Sequence, residues 1–193
     1  MDDLDRSLAR KARRGDRRAL GTLYERYRNR VFGYLTRETR DRETAEDVFQ
    51  EVWVKVMQGI ESYDASRGPF RAWLFRIAAN AAVDRRRRDA VRLGDELDAP
   101  LEDGEGRRVD RIAADGPDPE RLGAVREAAS RLNRRLGTLD PRQRTAVLLR
   151  HQQGLSYTEI SHAMAIPEGT AKTLVHRAVR VLRRAMGDRE EMP

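Results

Sequence analysis

Five polar and basic side chains near the C-terminal end of the sequence have the types and the spacing needed to hydrogen-bond DNA bases. At helical spacing they share one face of a predicted helix: Lys172, Thr173, His176, Arg177 and Arg180. Such a helix fits the major groove of B-DNA, where Lys and Arg donate to O6 and N7 of guanine. A solvated basic face on an ordinary helical hairpin is the alternative interpretation.

The residues before this face predict a shorter helix that a turn joins to it. Ser156 and Glu159 are spaced as a capping box, in which each side chain satisfies an unpaired N–H group at a helix start. Pro167 lies in the turn that follows, and proline is tolerated best in the first turn of a helix. A short helix, a turn and a basic second helix are together typical of a helix-turn-helix motif.

A second candidate face is acidic and lies on a predicted helix between residues 45 and 57. Its members occur at i, i+3, i+4 and i+7 and therefore share one side of that helix: Asp47, Gln50, Glu51 and Val54. Acidic and polar groups around one valine suit a basic helical partner. A solvated helix face explains the same pattern.

Aromatic, amide and guanidinium side chains occur together between residues 62 and 88. A loop and the helix after it supply Asp64, Arg67, Trp73, Arg76 and Asn80, and four consecutive arginines follow as Arg85, Arg86, Arg87 and Arg88. This combination suits single-stranded or opened DNA, because unstacked bases can lie on aromatic rings while arginine meets phosphate. Trp73 and Phe75 are alternatively core residues.

Helical periodicity divides the sequence into two parts, residues 1–88 and 121–193, and indicates four helices in the first part. Residues 89–120 hold eleven Asp or Glu and four Arg, a local net charge of −7, and predict a flexible acidic linker. Since the whole chain carries +7, the basic character belongs to the two helical parts. We therefore predict an all-α fold with a small four-helix N-terminal domain and a small C-terminal helix-turn-helix domain.

Composition favours a polyanionic partner and excludes several classes of site. The chain has 39 Lys plus Arg against 32 Asp plus Glu and a pI near 10.3, which points to nucleic acid. It contains no cysteine, so disulfides and thiolate metal sites are excluded. We also expect no metal, no cofactor and no catalytic constellation, because the three histidines pair with no nucleophile. With neither a long apolar run nor a signal-peptide core, we expect a cytoplasmic location without membrane insertion.

Three segments in this order resemble the sigma factors of bacterial RNA polymerase, and specifically the extracytoplasmic-function (ECF) group of the sigma-70 family. AEDVFQEVWVKV, residues 45–56, is similar to the helix that docks on the polymerase clamp. RGPFRAWLFRIAANAAVDRRRR, residues 67–88, resembles the element that melts and reads the −10 promoter region. The segment from LDPRQR to VLRR, residues 139–184, resembles the domain that binds the −35 element.

The resemblance implies a non-catalytic factor with core RNA polymerase and promoter DNA as partners. Asp47, Gln50, Glu51 and Val54 would bind the clamp helices of the largest polymerase subunit, while the flap of the second-largest subunit would be a further contact. The loop at 63–69 would form a pocket for a base flipped from the opened −10 strand. The implied −10 contacts are Asp64, Arg67, Phe70, Arg71, Trp73, Arg76 and Asn80.

In the second domain the resemblance places the basic face of the last helix in the −35 major groove. His176 departs from the family, in which an aromatic or arginine residue is often found at that position. The implied phosphate contacts are Arg85, Arg86, Arg87, Arg88, Tyr157 and Thr158. Residues 1–88 would be sigma region 2 and residues 121–193 region 4. An anti-sigma factor is a further implied partner of a chain that is otherwise monomeric.

The linker length bears on how two DNA readers can act together. Readers about two helical turns apart on a promoter are separated by roughly 70 Å, whereas a free coil of about 30 residues averages only about 30 Å. We therefore expect the free chain to be compact and core polymerase to spread its domains. Two other classes remain open: a stand-alone helix-turn-helix regulator that dimerises on palindromic DNA, and an RNA-binding or adaptor protein.

Overall fold

The computed structural model describes residues 2–95 and 119–187, where all regular secondary structure is helical and no strand occurs. The predicted all-α class is therefore confirmed. In chain order the helices are α1 (Asp2–Arg13), α2 (Arg17–Thr39), α3 (Arg42–Gly59), α4 (Phe70–Asp95), α5 (Pro119–Gly137), α6 (Pro141–His151), α7 (Tyr157–Met164) and α8 (Glu168–Gly187), with a short 3₁₀ turn at Ile60–Ser62.

The structure describes only the first and last few residues of the predicted linker, residues 89–120. Helix α4 continues to Asp95, past the proposed boundary at residue 88, and α5 begins at Pro119. The remainder of the predicted acidic linker, residues 96–118, lies outside the described residues. No described helix is long and apolar enough to cross a membrane.

Side-chain caps fix where several helices begin. Asp16 accepts hydrogen bonds from two backbone N–H groups at the start of α2, and Asp41 accepts one from Thr44 at the start of α3. Asp140 does the same for α6, directly before Pro141 at its first position. Ser156 and Glu159 form the predicted capping box of α7. Each cap satisfies N–H groups that the helix itself leaves unpaired.

The N-terminal four helices pack around an aromatic centre. The rings of Tyr27, Tyr63 and Trp73 surround the buried Phe70 with centroids 5.6–5.8 Å apart. Helix α1 is fixed to α2 through Asp5, whose buried carboxylate accepts hydrogen bonds from Tyr27 Oη at 2.6 Å and from Arg26 Nε at 2.8 Å. Since an unpaired buried carboxylate is costly, these two bonds set the position of α1.

The two helical halves pack against each other and share one continuous apolar core. Helix α7 lies on α4, and α6 lies on α2. Arg30 of α2 donates to the carbonyl oxygen of Gln153, just beyond α6, at 3.1 Å. Arg71 of α4 pairs with Glu159 of α7 at 3.3 Å. The described residues therefore form a closed arrangement in which α6 and α7 of the C-terminal half cover part of the N-terminal half.

Candidate nucleic-acid interface and docking surfaces

The basic face of α8 is open to solvent. Lys172, Thr173, His176, Arg177 and Arg180 are all exposed. On the opposite side Ala171, Val175 and Ala178 are buried against α6 and α7. The apolar stripe thus fixes the rotation of the helix about its axis, and the five predicted groove contacts come together on one accessible surface.

Tyr157 and Thr158, both predicted to contact phosphate, are held by neighbours within the helix-turn-helix. The Arg150 guanidinium lies over the Tyr157 ring, 4.7 Å from its centroid, and the Tyr157 hydroxyl is 3.5 Å from His176 Nε2. Thr158 Oγ1 donates to Glu168 Oε2 at 2.8 Å. Both side chains therefore tie α7 to its neighbours, while the Thr158 side chain stays exposed beside the basic face.

A cleft of about 430 Å³ lies between the loop after α3, the start of α4 and helix α7. Its volume falls in the range of ligand sites, about 300–1,000 Å³. The lining includes four of the predicted −10 contacts, Asp64, Arg67, Trp73 and Arg76, together with His162 of α7. An aromatic wall beside guanidinium groups suits an unstacked base and its phosphate.

Two of the predicted −10 contacts are placed elsewhere, and one prediction needs correction. Asn80 is exposed on α4 but does not line the cleft. Arg71 is engaged with Glu159 across the two halves. Phe70 is only 1% exposed, so in this arrangement it packs in the core and cannot stack on a base. Phe75 is likewise fully buried, which bears out the core interpretation for that ring.

The acidic face of α3 is exposed but already charge-paired. The side chains of Asp47 and Val54 are 61% and 44% exposed, and Gln50 is exposed as well. Arg85 Nη1 lies 3.1 Å from Asp47 Oδ2, and Arg88 Nη2 lies 2.9 Å from Glu51 Oε2. Partial burial raises the pKa of Glu51, but hydrogen bonds from Lys55 and Arg88 outweigh it and hold that pKa below its usual value. Glu51 is thus held in its ionised form, and the ion pairs with Arg85 and Arg88 partly neutralise the charge of the face.

Arg86 is already engaged inside the protein: its Nη1 hydrogen-bonds Glu38, a carboxylate that is 1% exposed, while 27% of the Arg86 side chain remains exposed. Its phosphate contact stays a prediction. Arg87 is exposed. The four consecutive arginines therefore have different surroundings, which a run of identical residues cannot reveal.

Two family models match the two halves of the chain: sigma-70 region 2 over residues 23–92 and sigma-70 region 4 over residues 129–182. The ECF RNA polymerase sigma factor SigW of Bacillus subtilis is 30% identical over 97% of this chain and 100% of its own length. The RNA polymerase sigma-H factor of Pseudomonas aeruginosa is 31% identical, covering 94% of this chain and 93% of the relative. This chain belongs to the ECF sigma factors.

Two solved structures have a similar fold. CnrH, in a structure with the cytosolic domain of CnrY, is 26% identical with a TM-score of 0.68, covering 96% of this chain and 99% of CnrH. RpoE of Bartonella quintana, solved with the anti-sigma factor NepR, has a TM-score of 0.69 at 20% identity over 87% of this chain and 96% of RpoE, which shows the fold alone.

The sequence did not point to three features of this ECF sigma factor. From α7, Glu159 pairs with Arg71 of region 2 and His162 lines the cleft, although no local pattern marks a residue for an interdomain surface. Met57, three residues after Val54, is 55% exposed and extends the α3 face. The i, i+3 spacing from Val54 was the available signal for Met57.

The third feature is an apolar groove of about 410 Å³ on the C-terminal half. Helices α5, α6 and α8 line it with Leu132, Leu136, Val147, Leu148, Val179 and Leu182. Arg37 of α2, His151 and Arg183 also line it. An exposed apolar groove with arginines among its lining residues suits an amphipathic helix, whose apolar face would enter it.

Proposed function

We propose that this chain directs promoter-specific transcription initiation by binding core RNA polymerase and reading the −10 and −35 elements. The observation that supports the proposal is that one chain matches both sigma regions and that each region contributes one of the two candidate DNA-binding surfaces. The α8 face lies within residues 129–182, and the cleft residues Asp64, Arg67, Trp73 and Arg76 lie within residues 23–92. The chain supplies promoter specificity and strand opening, and the polymerase supplies the chemistry.

The two surfaces have different tasks in this proposal. Lys172, Thr173, His176, Arg177 and Arg180 read bases in the −35 major groove. The cleft of Asp64, Arg67, Trp73 and Arg76 takes a base flipped from the opened −10 strand, with Asn80 on the same helix. Hydrogen bonds from the Ser66 amide and hydroxyl lower the pKa of Asp64, which keeps an ionised acceptor at the mouth of the cleft.

Two other surfaces serve core polymerase. The α3 face of Asp47, Gln50, Glu51 and Val54, extended by Met57, docks on the basic clamp helices of the largest subunit. The apolar groove of α5, α6 and α8 takes the flap of the second-largest subunit. Leu132, 41% exposed in the groove, is a direct test: Leu132→Asp is expected to weaken core binding without changing DNA contacts.

An anti-sigma factor is the third proposed partner, bound one to one. RpoE of Bartonella quintana was solved with such a factor. In the closed arrangement of this chain α7 stands over the −10 cleft while the α8 face remains open. A protein that stabilises this closed form would block the −10 reader first.

In vitro transcription with purified core polymerase on a library of random promoter sequences tests the proposal. The chain is expected to start transcripts from a discrete set of templates that share two spaced elements. A stand-alone regulator would instead bind palindromic duplexes without polymerase and start no transcript. Absence of initiation by the reconstituted holoenzyme on every template would overturn the proposal.

A further inference from the structure

A group of charged and polar side chains is buried where the two halves of the chain meet. It comprises Tyr34 and Glu38 of α2, Arg86 of α4, and Arg144 and Thr145 of α6, and is called the Glu38 cluster below. All but Arg86 are at most 7% exposed. Because the cluster draws on both sigma regions, its burial depends on their packing together.

Glu38 is the centre of the cluster. Thr145 Oγ1 donates to Glu38 Oε1 at 2.8 Å, and the same oxygen accepts from Arg86 Nη1. Glu38 Oε2 and Arg144 Nε have no hydrogen-bond partner among the described residues. Burial raises the pKa of Glu38 while Arg86, Thr145 and Arg144 oppose that rise, and burial lowers the pKa of Arg144.

This composition favours an interface that can be opened. A buried ion pair gains little over an apolar pair of the same shape, since desolvation offsets its attraction. When the halves separate, water solvates Arg144 and Thr145 of α6, and Glu38 keeps Arg86 of its own half as a partner, so the polar groups lose less than an apolar contact would. The two halves still pack in one relative position only, because any packing that removes one partner leaves an uncompensated buried charge.

The Glu38 cluster is connected through α6 and α7 to the −10 cleft. Thr145 lies on α6, and the short turn after α6 leads into α7, which carries Glu159 and His162 onto the −10 cleft. The α8 face lies outside this contact and is exposed. Closure therefore affects one of the two DNA readers and leaves the other open.

We propose that the Glu38 cluster is a releasable latch that holds α7 over the −10 cleft in the free protein. This inference rests on the proposed function and names the residues that regulate its −10 surface. Release of the latch exposes the cleft, while −35 recognition by α8 is equal in the latched and released forms.

Glu38→Gln tests the latch with almost no change in volume. In the closed form it leaves the buried Arg144 of α6 without a nearby negative charge, whereas water solvates Arg144 when the halves separate, so the open fraction rises. Arg86 lies in the same half as Glu38 and loses this partner in both forms. Glu25→Gln, on the exposed face of the same helix, is the matched control for loss of one negative charge. The probes are a fluorescent pool of short single-stranded DNA of random sequence and a matching duplex pool, each titrated with free protein.

The expected result is a gain of about tenfold in single-strand affinity for Glu38→Gln, because apparent affinity scales with the fraction of open molecules. Duplex affinity, which reports α8, stays at the value of the unmodified chain. Glu25→Gln changes the single-strand and duplex affinities only as far as the loss of one negative charge does. Equal single-strand affinity for Glu38→Gln and Glu25→Gln would overturn the latch.

A crosslink tests the same idea with the cluster intact. A Cβ at Gly33 of α2 would lie 3.5 Å from Nε2 of Gln152, just beyond α6. Since the chain has no cysteine, Gly33→Cys with Gln152→Cys gives one defined thiol pair across the interface. Joining the pair by a short bis-thiol reagent is expected to abolish single-strand binding and leave duplex binding unchanged. Undiminished single-strand binding after complete crosslinking would contradict the proposal.

These measurements use no polymerase, so they separate the latch from the sigma function. If the holoenzyme fails to initiate, the single-strand and crosslinking results still decide whether the latch exists. If Glu38→Gln and the unmodified chain behave alike in free solution but both initiate with core, only the latch is wrong.

Discussion

Arg88 and Glu51 join α4 to α3 through an ion pair of 2.9 Å between Nη2 and Oε2. Arg85 makes the equivalent link to Asp47 at 3.1 Å. Two of the four consecutive arginines are therefore bound to the acidic face that we propose for core polymerase. Arg87 is exposed and forms no ion pair with any residue in the described ranges 2–95 and 119–187.

This division predicts opposite phenotypes for neighbouring arginines. Arg88→Ala removes an ion-pair partner of Glu51, so the carboxylate attracts a basic clamp helix more strongly. Affinity for core polymerase is therefore expected to rise by a fewfold at low salt, in keeping with about 0.2–1 kcal/mol for an exposed ion pair. Arg87→Ala is expected to lower the salt slope of promoter binding by the holoenzyme by about one phosphate contact. Fluorescence anisotropy against core and against DNA measures both.

The result can fail in a specific way. A loss of core affinity for Arg88→Ala would show that the guanidinium itself contacts polymerase. An unchanged salt slope for Arg87→Ala together with a reduced one for Arg88→Ala would reverse the assignment.

Arg177 is predicted to read a base in the −35 element. Its position on the exposed face of α8 suits a bidentate contact with guanine, and Arg177→Ala is expected to cost about 1–3 kcal/mol with loss of preference at one base pair. Holoenzyme binding to a set of single-base −35 variants measures this. Arg131→Ala, in an exposed pair with Glu127 on α5, serves as the control and should keep the full base preference.

The sequence was most informative where the determining interactions are local. The capping box of Ser156 and Glu159 lies within one helical turn, and the structure has it as predicted. The basic face, predicted from helical spacing, lies together on the exposed side of α8: Lys172, Thr173, His176, Arg177 and Arg180. Local patterns decide helix starts and buried faces, since each depends on residues at most a few positions away.

Longer-range packing decided what the sequence could not show. Whether Phe70 meets a base or a core depends on the rings of Tyr27 and Tyr63, which lie elsewhere in the chain. Arg86 points inward because Glu38, 48 residues earlier, is buried there. No spacing rule links such pairs. The sequence therefore predicts the same exposed environment for all four consecutive arginines, and only the structure distinguishes them.

Asp41 is expected to make the stability of the N-terminal half depend on pH. Hydrogen bonds from the Thr44 hydroxyl and amide lower the pKa of this cap below its ordinary value. A carboxylate with a lowered pKa in the folded state stabilises it fully above the unfolded pKa of about 3.9, and this contribution is lost as the pH falls through the folded pKa.

Asp41→Ala should therefore cost about 1 kcal/mol of unfolding free energy at neutral pH, and the difference from the unmodified chain should shrink in acid. Urea unfolding followed by circular dichroism at several pH values gives the difference directly. Asp41→Asn, which can still cap but does not titrate, is the control. A deficit of Asp41→Ala that is independent of pH would contradict the assignment.

Ala165 carries backbone strain at the turn of the helix-turn-helix. It ends α7 in the left-handed region with φ of 52°, a conformation that costs a residue with a Cβ roughly 1–2 kcal/mol. Ala165→Gly removes that cost but loses more chain entropy on folding, about 0.4–1 kcal/mol. Because the strain exceeds the entropic loss, the substitution is expected to stabilise the fold by a few tenths of a kcal/mol to about 1 kcal/mol.

Ala163→Gly, two residues earlier inside α7, is the control: it has no strain to relieve and should destabilise the fold by about 1 kcal/mol. Thermal unfolding of the pair measures the contrast, and destabilisation by both would show that the turn is not strained at Ala165.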